Sequence, residues 1–173
     1  VIAAPSGLAI GGGYEVVAQT DYVVAHSNSV LGLVEPLVGL IPAGGGCKEM
    51  LRRWSNSLKS KEDPNYVSMK VFNILGYALT MDSPDKSKEY KFLEKDDYMV
   101  MSRDRLIAEA DKKIALVKEN YAAPKKTIFN LPGSSVMPAM IEILDTLFDS
   151  NKIKDHGLTV GKKLGFMLSG GNT

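Results

Sequence analysis

At 173 residues the chain fits one domain with room for a sizeable core, and 45% apolar with 24% charged residues is an ordinary globular composition. A net charge of +1 gives no electrostatic case for nucleic acid or an anionic membrane as partner, and no apolar run is long enough to span a bilayer. The one cysteine, Cys47, excludes an internal disulfide and points to a reducing compartment, so the expected location is cytoplasmic.

In chain order, residues 1–4 and 8–10 are short apolar runs and read as buried strands. Gly11-Gly12-Gly13 follows, and Glu15-Val16-Val17-Ala18-Gln19 reads as the opening of a helix. Glycine lets another molecule approach the main chain closely, and a helix start presents unpaired N–H groups. The combination suits an anion, or an oxygen that becomes anionic during reaction. The plainer alternative is a tight strand-to-helix turn with a surface glutamate near a helix N-terminus.

Residues 22–25 read as the next strand, leading through His26-Ser27-Asn28-Ser29 to another at 30–33. His26 is expected in the loop. Glu35 ends the second run and is followed by Leu37, Val38, Leu40 and Ile41. A carboxylate among apolar neighbours is either a strand-end group reaching solvent or a buried one with a raised pKa, suited to acid/base work. Two such glutamates, each beside a glycine-rich bend, favour paired acid/base carboxylates.

A second glycine run, Gly44-Gly45-Gly46, opens a helix to Arg53, with Arg52 and Arg53 in the last turn where cations suit the dipole. Cys47 is read as a small residue at that helix start. Residues 55–66 form a polar connector broken by Pro64. Val67, Val71, Ile74, Leu75 and Ala78 share a helical face, weakened by Gly76. Ser83-Pro84 opens a short helix whose Lys86–Lys91 stretch is a solvated face, and residues 99–101 read as a strand. Ser102 caps a helix to Asn120, with Leu106, Ile107, Ala110, Ile114 and Val117 as its stripe. Met137, Met140, Ile141, Leu144, Leu147 and Phe148 mark the cleanest amphipathic helix, read as core or subunit interface. The last helix, 158–168, has Gly161 and Gly165 on one face, and His156 before it carries no expected chemistry.

Gly11-Gly12-Gly13-Tyr14-Glu15, Leu31-Gly32-Leu33-Val34-Glu35 and Gly39-Leu40-Ile41-Pro42-Ala43-Gly44-Gly45-Gly46 together resemble the crotonase superfamily, specifically enoyl-CoA hydratases. That family has a Gly-Gly-Gly-x-Glu turn, a second Glu twenty residues on, and a Gly-Ile-Pro-Gly-like segment, and order and spacing both match here. Met101-Ser102-Arg103-Asp104-Arg105-Leu106, Leu131-Pro132-Gly133 and Gly161-Lys162-Lys163-Leu164 are similar to a narrower group. These are large bacterial multifunctional proteins in which a 3-hydroxyacyl-CoA dehydrogenase accompanies a C-terminal hydratase part.

The resemblance implies an α/β fold: the C-terminal half of a crotonase-like ββα spiral at 1–54, then a helical region at 55–173 with acyl-pocket and assembly helices. It implies that Gly12 N–H contributes to an oxyanion hole for the thioester oxygen, and that Glu15 activates water while Glu35 protonates carbon 2. Gly11, Gly13, Leu33 and Pro42 are the implied substrate-binding positions. Phe72 and Leu75 are acyl-contact candidates whose plainer role is core packing, and Lys86–Lys91 is a weaker candidate for CoA phosphates. The implied substrate is an acyl-CoA thioester, with a homo-oligomer as the assembly. Hydration would need no cofactor or metal, and NAD only if a dehydrogenase part exists elsewhere on a longer chain.

The resemblance also implies that this chain is a fragment, since the family's first half, with the other oxyanion donor and much of the CoA surface, would precede Val1. Three functions stay open: hydratase part of a larger β-oxidation protein; isomerase or CoA thioester hydrolase of the same superfamily; or an inactive fragment that only binds. Departures from the family are Tyr14, which would narrow the pocket, Pro36, which keeps Glu35 from helical angles, and Ala43, which matters only if its φ is positive.

Overall fold

A computed structural model describes residues 1–56, 63 and 65–172. Most of the polar connector read from the sequence, including Pro64, lies outside the described residues. The chain divides into two compact units interleaved in sequence, Val1–Leu33 with Thr80–Thr127, and Val34–Leu79 with Ile128–Thr173.

The first unit holds two small sheets. β1 (Ile2–Ala3), β3 (Tyr22–His26) and β6 (Tyr98–Val100) pair in the order β1-β3-β6, all parallel. β2 (Leu8–Ile10), β4 (Val30–Gly32) and β5 (Thr80–Met81) pair in the order β2-β4-β5, with β4–β5 antiparallel. Strands β1 to β4 therefore alternate between the sheets, and the His26–Ser29 turn is a corner rather than a hairpin. One corner stacks on the next: the Pro5 carbonyl accepts from His26 N–H and the buried Ser29 hydroxyl, each at 2.9 Å. β5 has no counterpart in the sequence reading. Leu8 is also not buried as read; it is 75% exposed, on an edge strand.

Helix α1 (Gly12–Ala18) links β2 to β3 and starts earlier than the glutamate. Its Tyr14 is fully buried, donating to the Phe92 carbonyl at 3.0 Å and meeting that ring edge-on at 4.8 Å. Helix α4 (Pro84–Glu89) is capped by Ser83, whose hydroxyl accepts from Lys86 N–H, while Lys86 and Lys88 stay exposed. Helix α5 (Leu106–Val117) lies on β1 and β3, packing Leu106 and Ala110 against Val24, Ile2 and Tyr98. Its stripe is narrower than read: Ile107 and Ile114 are exposed. Ser102 makes no side-chain cap; it precedes a 3-10 turn, Arg103–Arg105.

The second unit is helical. A 3-10 turn, Glu35–Val38, is followed by α2 (Gly46–Ser55), α3 (Tyr66–Gly76), a second 3-10 turn (Gly133–Val136), α6 (Met137–Asp149) and α7 (Asp155–Ser169). The α3 face is buried as its pattern requires, and Gly76 falls harmlessly at the helix end. The α6 stripe is buried or half-buried throughout. A Cβ at Gly161 would run into Leu144 of α6, and one at Gly165 would lie 3.1 Å from Met140 Sδ. The glycine face thus allows the close approach of α6 and α7. Ser68 of α3 donates to the Leu168 carbonyl of α7 at 2.9 Å, fully buried.

Candidate functional site

One candidate lies in the first unit, at the start of α1. Gly11 N–H donates to the Gly32 carbonyl at 2.9 Å, which extends the β2–β4 ladder by one rung and ends the strand. Gly11 then turns the chain as the helix N-cap with φ 56°. Gly12 and Gly13 are exposed, and a Cβ on either would meet no atom within 4 Å. Their N–H groups stand at the open end of a helix, where four such donors lack intrahelical partners. Glu15, the fourth residue of α1, is only 7% exposed and lies between buried Tyr14 and Val17. The surface-glutamate alternative is therefore excluded for Glu15. Its backbone carbonyl, not its carboxylate, accepts from Gln19 Nε2 at 3.2 Å. Leu33, at the end of this segment, is fully buried.

The other candidate, in the second unit, is the Glu35 turn. Pro36 in the first helical positions fixes its φ and costs no hydrogen bond there. Leu40 N–H donates to the Glu35 carbonyl at 3.0 Å, and Gly39 N–H to that of Pro36 at 3.2 Å. The residue as a whole is half-buried, and both carboxylate oxygens are closed off from solvent. Farther on, Pro42 is buried and Ala43 is exposed without positive φ, so a glycine is not required there.

Other sequence candidates resolve into structural roles. Tyr14 spends its ring and hydroxyl on Phe92. His26 closes β3, its Nε2–H donating to the Met101 carbonyl at 3.1 Å. Leu75 is core, whereas Phe72 lines an apolar cavity of about 60 Å³ together with Pro36, Leu147 and Gly161. Two residues escaped the sequence reading. Glu49 of α2 is buried, with Arg52 Nε at 2.9 Å and Lys48 Nζ at 3.0 Å. Burial pushes its carboxyl up, but the hydrogen bonds and charges of Arg52 and Lys48 outweigh that and hold it below the usual value. The neighbouring cations at Lys48 and Arg52 were the available signal. His156 donates to the Gly39 carbonyl at 2.9 Å, and nothing local in sequence announces that bond.

The sequence model of the family described as enoyl-CoA hydratase/isomerase matches residues 1–60. A Bacillus subtilis protein named probable 3-hydroxyacyl-CoA dehydrogenase is 32% identical over 172 residues, covering 99% of this chain and 21% of that protein. The 2,3-dehydroadipyl-CoA hydratase of Escherichia coli is 41% identical over 61 residues, 35% of this chain and 24% of that one. Among solved structures, an enoyl-CoA hydratase subunit from Geobacillus kaustophilus superposes with TM-score 0.53 at 18% identity, over 96% of this chain and 52% of that one. An enoyl-CoA hydratase from Bacillus anthracis gives 0.51 at 21% identity, over 97% and 53%. The chain thus spans about a fifth of the Bacillus subtilis relative and about half of each of these structures. At these identities the structural likeness establishes the fold.

Proposed function

Proceeding from the chain's membership of the enoyl-CoA hydratase/isomerase (crotonase) superfamily, we propose that it adds water across the double bond of a 2-trans-enoyl-CoA in fatty acid β-oxidation. The observation that carries this reading is Glu15, buried within one turn of an open, glycine-built helix start. Addition to an unsaturated thioester passes through an enolate-like state, so negative charge grows on the carbonyl oxygen. Gly12 N–H receives that oxygen, with Gly11 and Gly13 allowing close approach; one such donor is typically worth about 10²–10³ in rate. Glu15 takes the proton from the attacking water, and Glu35 gives a proton to carbon 2. Leu33 and Pro42 are the remaining substrate-binding positions in this reading. Atoms balance with water alone and no electrons are transferred, so the step requires no redox cofactor.

In this reading the chain is part of a larger homo-oligomeric protein that also carries a dehydrogenase, which would be the part that uses NAD. The name and length of the Bacillus subtilis relative support that arrangement. Two glutamates favour hydration over isomerisation, which usually needs one.

The test follows loss of the enoyl-thioester absorbance of crotonyl-CoA, for this chain and for a version extended at its N-terminus. The extended protein should turn over, and Glu15→Gln or Glu35→Gln should each reduce the rate by about 10²–10⁴. Undiminished turnover in both variants overturns the assignment.

A further inference from the structure

The turn carrying Glu35 gains little from its own apolar side chains, because Leu37, Val38 and Leu40 all project into solvent. Its N–H groups at Gly39 and Leu40 close back onto the turn, while the Gly39 carbonyl is bonded from another element. His156, the second residue of α7, meets that carbonyl with Nε2 at 2.9 Å. A carbonyl can only accept, so Nε2 carries the hydrogen. The fit is close: Gly39 has φ +75°, and a Cβ there would lie 2.7 Å from both Cδ2 and Nε2 of the imidazole. The second anchor is Pro36, which walls the apolar cavity along with Phe72, Leu147, Gly157 and Gly161.

We propose that His156 is a positioning residue for Glu35: by holding the Gly39 carbonyl it fixes the 3-10 turn on α7, and with it the direction of the Glu35 carboxylate. The proposal rests on the reading of Glu35 as proton donor. A general acid must sit within hydrogen-bond reach of the atom it protonates, and a small misplacement lowers turnover more than binding. Ground-state binding does not use the Glu35 proton, so the effect belongs in kcat.

The experiment uses the N-terminally extended protein with crotonyl-CoA, and reads kcat, KM and hydrogen exchange at the Gly39 and Leu40 amides. His156→Ala should lower kcat about 3- to 10-fold, the scale of one hydrogen bond, with KM within about twofold. Exchange at both amides should accelerate. His156→Gln, whose amide can donate, should recover part of kcat and of protection. Gly39→Ala should be more damaging with His156 present than in the His156→Ala background, since the imidazole is what the new Cβ meets. This non-additivity remains readable even where one variant folds poorly.

Unchanged exchange in His156→Ala overturns the clamp whatever the rates do. Accelerated exchange with unchanged kcat, in a protein that Glu35→Gln inactivates, overturns the positioning role. Full activity of Glu35→Gln instead sinks the catalytic reading of Glu35, and the exchange data then decide the clamp separately.

Discussion

Two helices of this chain begin alike. α1 runs Gly11-Gly12-Gly13-Tyr14-Glu15 and α2 runs Gly45-Gly46-Cys47-Lys48-Glu49. In each the cap is a glycine with positive φ, 56° and 114°, and the fourth helical residue is a buried glutamate. In each the glutamate N–H donates to the cap carbonyl, at 3.0 and 2.9 Å. The difference lies in what flanks the carboxylate and what covers the helix end. Lys48 and Arg52 precede and follow Glu49 where Tyr14 and Ala18 stand around Glu15. Gly46 and Cys47 are buried where Gly12 and Gly13 are open. One local geometry therefore serves two ends: in α2 it closes a packed helix start with a locked ion cluster, and in α1 it leaves backbone donors approachable beside a carboxylate.

The largest expected difference is in rate. With Glu15→Gln expected to cost about 10²–10⁴ in turnover, Glu49→Gln should leave crotonyl-CoA turnover within about twofold and instead lower stability by about 1–2 kcal/mol, since it strips the partner from Arg52 and Lys48. Steady-state rates alongside urea titrations measure both. A Glu49→Gln protein as inactive as Glu15→Gln, yet as stable as wild type, would erase the distinction.

The glycines separate the two starts next. Gly45 needs its positive φ, so Gly45→Ala should destabilise by about 1–3 kcal/mol through backbone strain. Gly12 sits within the helix with open space around it. Gly12→Ala should therefore keep stability or raise it, by up to about 1 kcal/mol. Its turnover should nevertheless fall, because the methyl narrows the approach to the N–H. Thermal melts of both variants, with rates for the second, check this pair. Loss of stability in Gly12→Ala would mean that the glycine serves the fold rather than a ligand.

How much of this could be read from sequence differs by kind of feature. Helix faces were legible where the apolar period was long and single-sided, as in α3 and α6. The α5 stripe is narrower than its period implies because Ile107 and Ile114 fit the period yet are exposed, away from the strip that Leu106 and Ala110 press onto the sheet. Thr80–Met81 escaped because two residues carry no period. The division of the strands between two sheets was not legible in the pattern, since short apolar runs do not say which strand they pair with. For function, the spacing of glycines and glutamates marked Glu15 and Glu35 as candidates. It could not expose His156, whose partner, Gly39, is 117 residues away in the chain. Nor did the apolar run after Glu35 reveal that Leu37, Val38 and Leu40 would be exposed.

The smallest effect sharpens the comparison through the pH dependence of Glu49 in α2. The Glu49 carboxyl is held below its ordinary value of 4.5 because Arg52 and Lys48 outweigh the burial that pushes it up. The unfolded chain therefore binds the proton at a higher pH than the native one does, and stability rises with pH across the interval between the two values. Glu49 contributes its full share above about pH 4.5, and the share is lost as pH falls through the lower native value. Glu49→Gln has no such proton to bind. Urea midpoints of wild type and variant should thus be farthest apart near neutrality and converge as the solution is acidified below 4.5. A gap that stays constant down to the acid limit would show that Glu49 stabilises α2 by shape and neutral hydrogen bonding. In that case charge would not be what distinguishes the closed helix start from the open one.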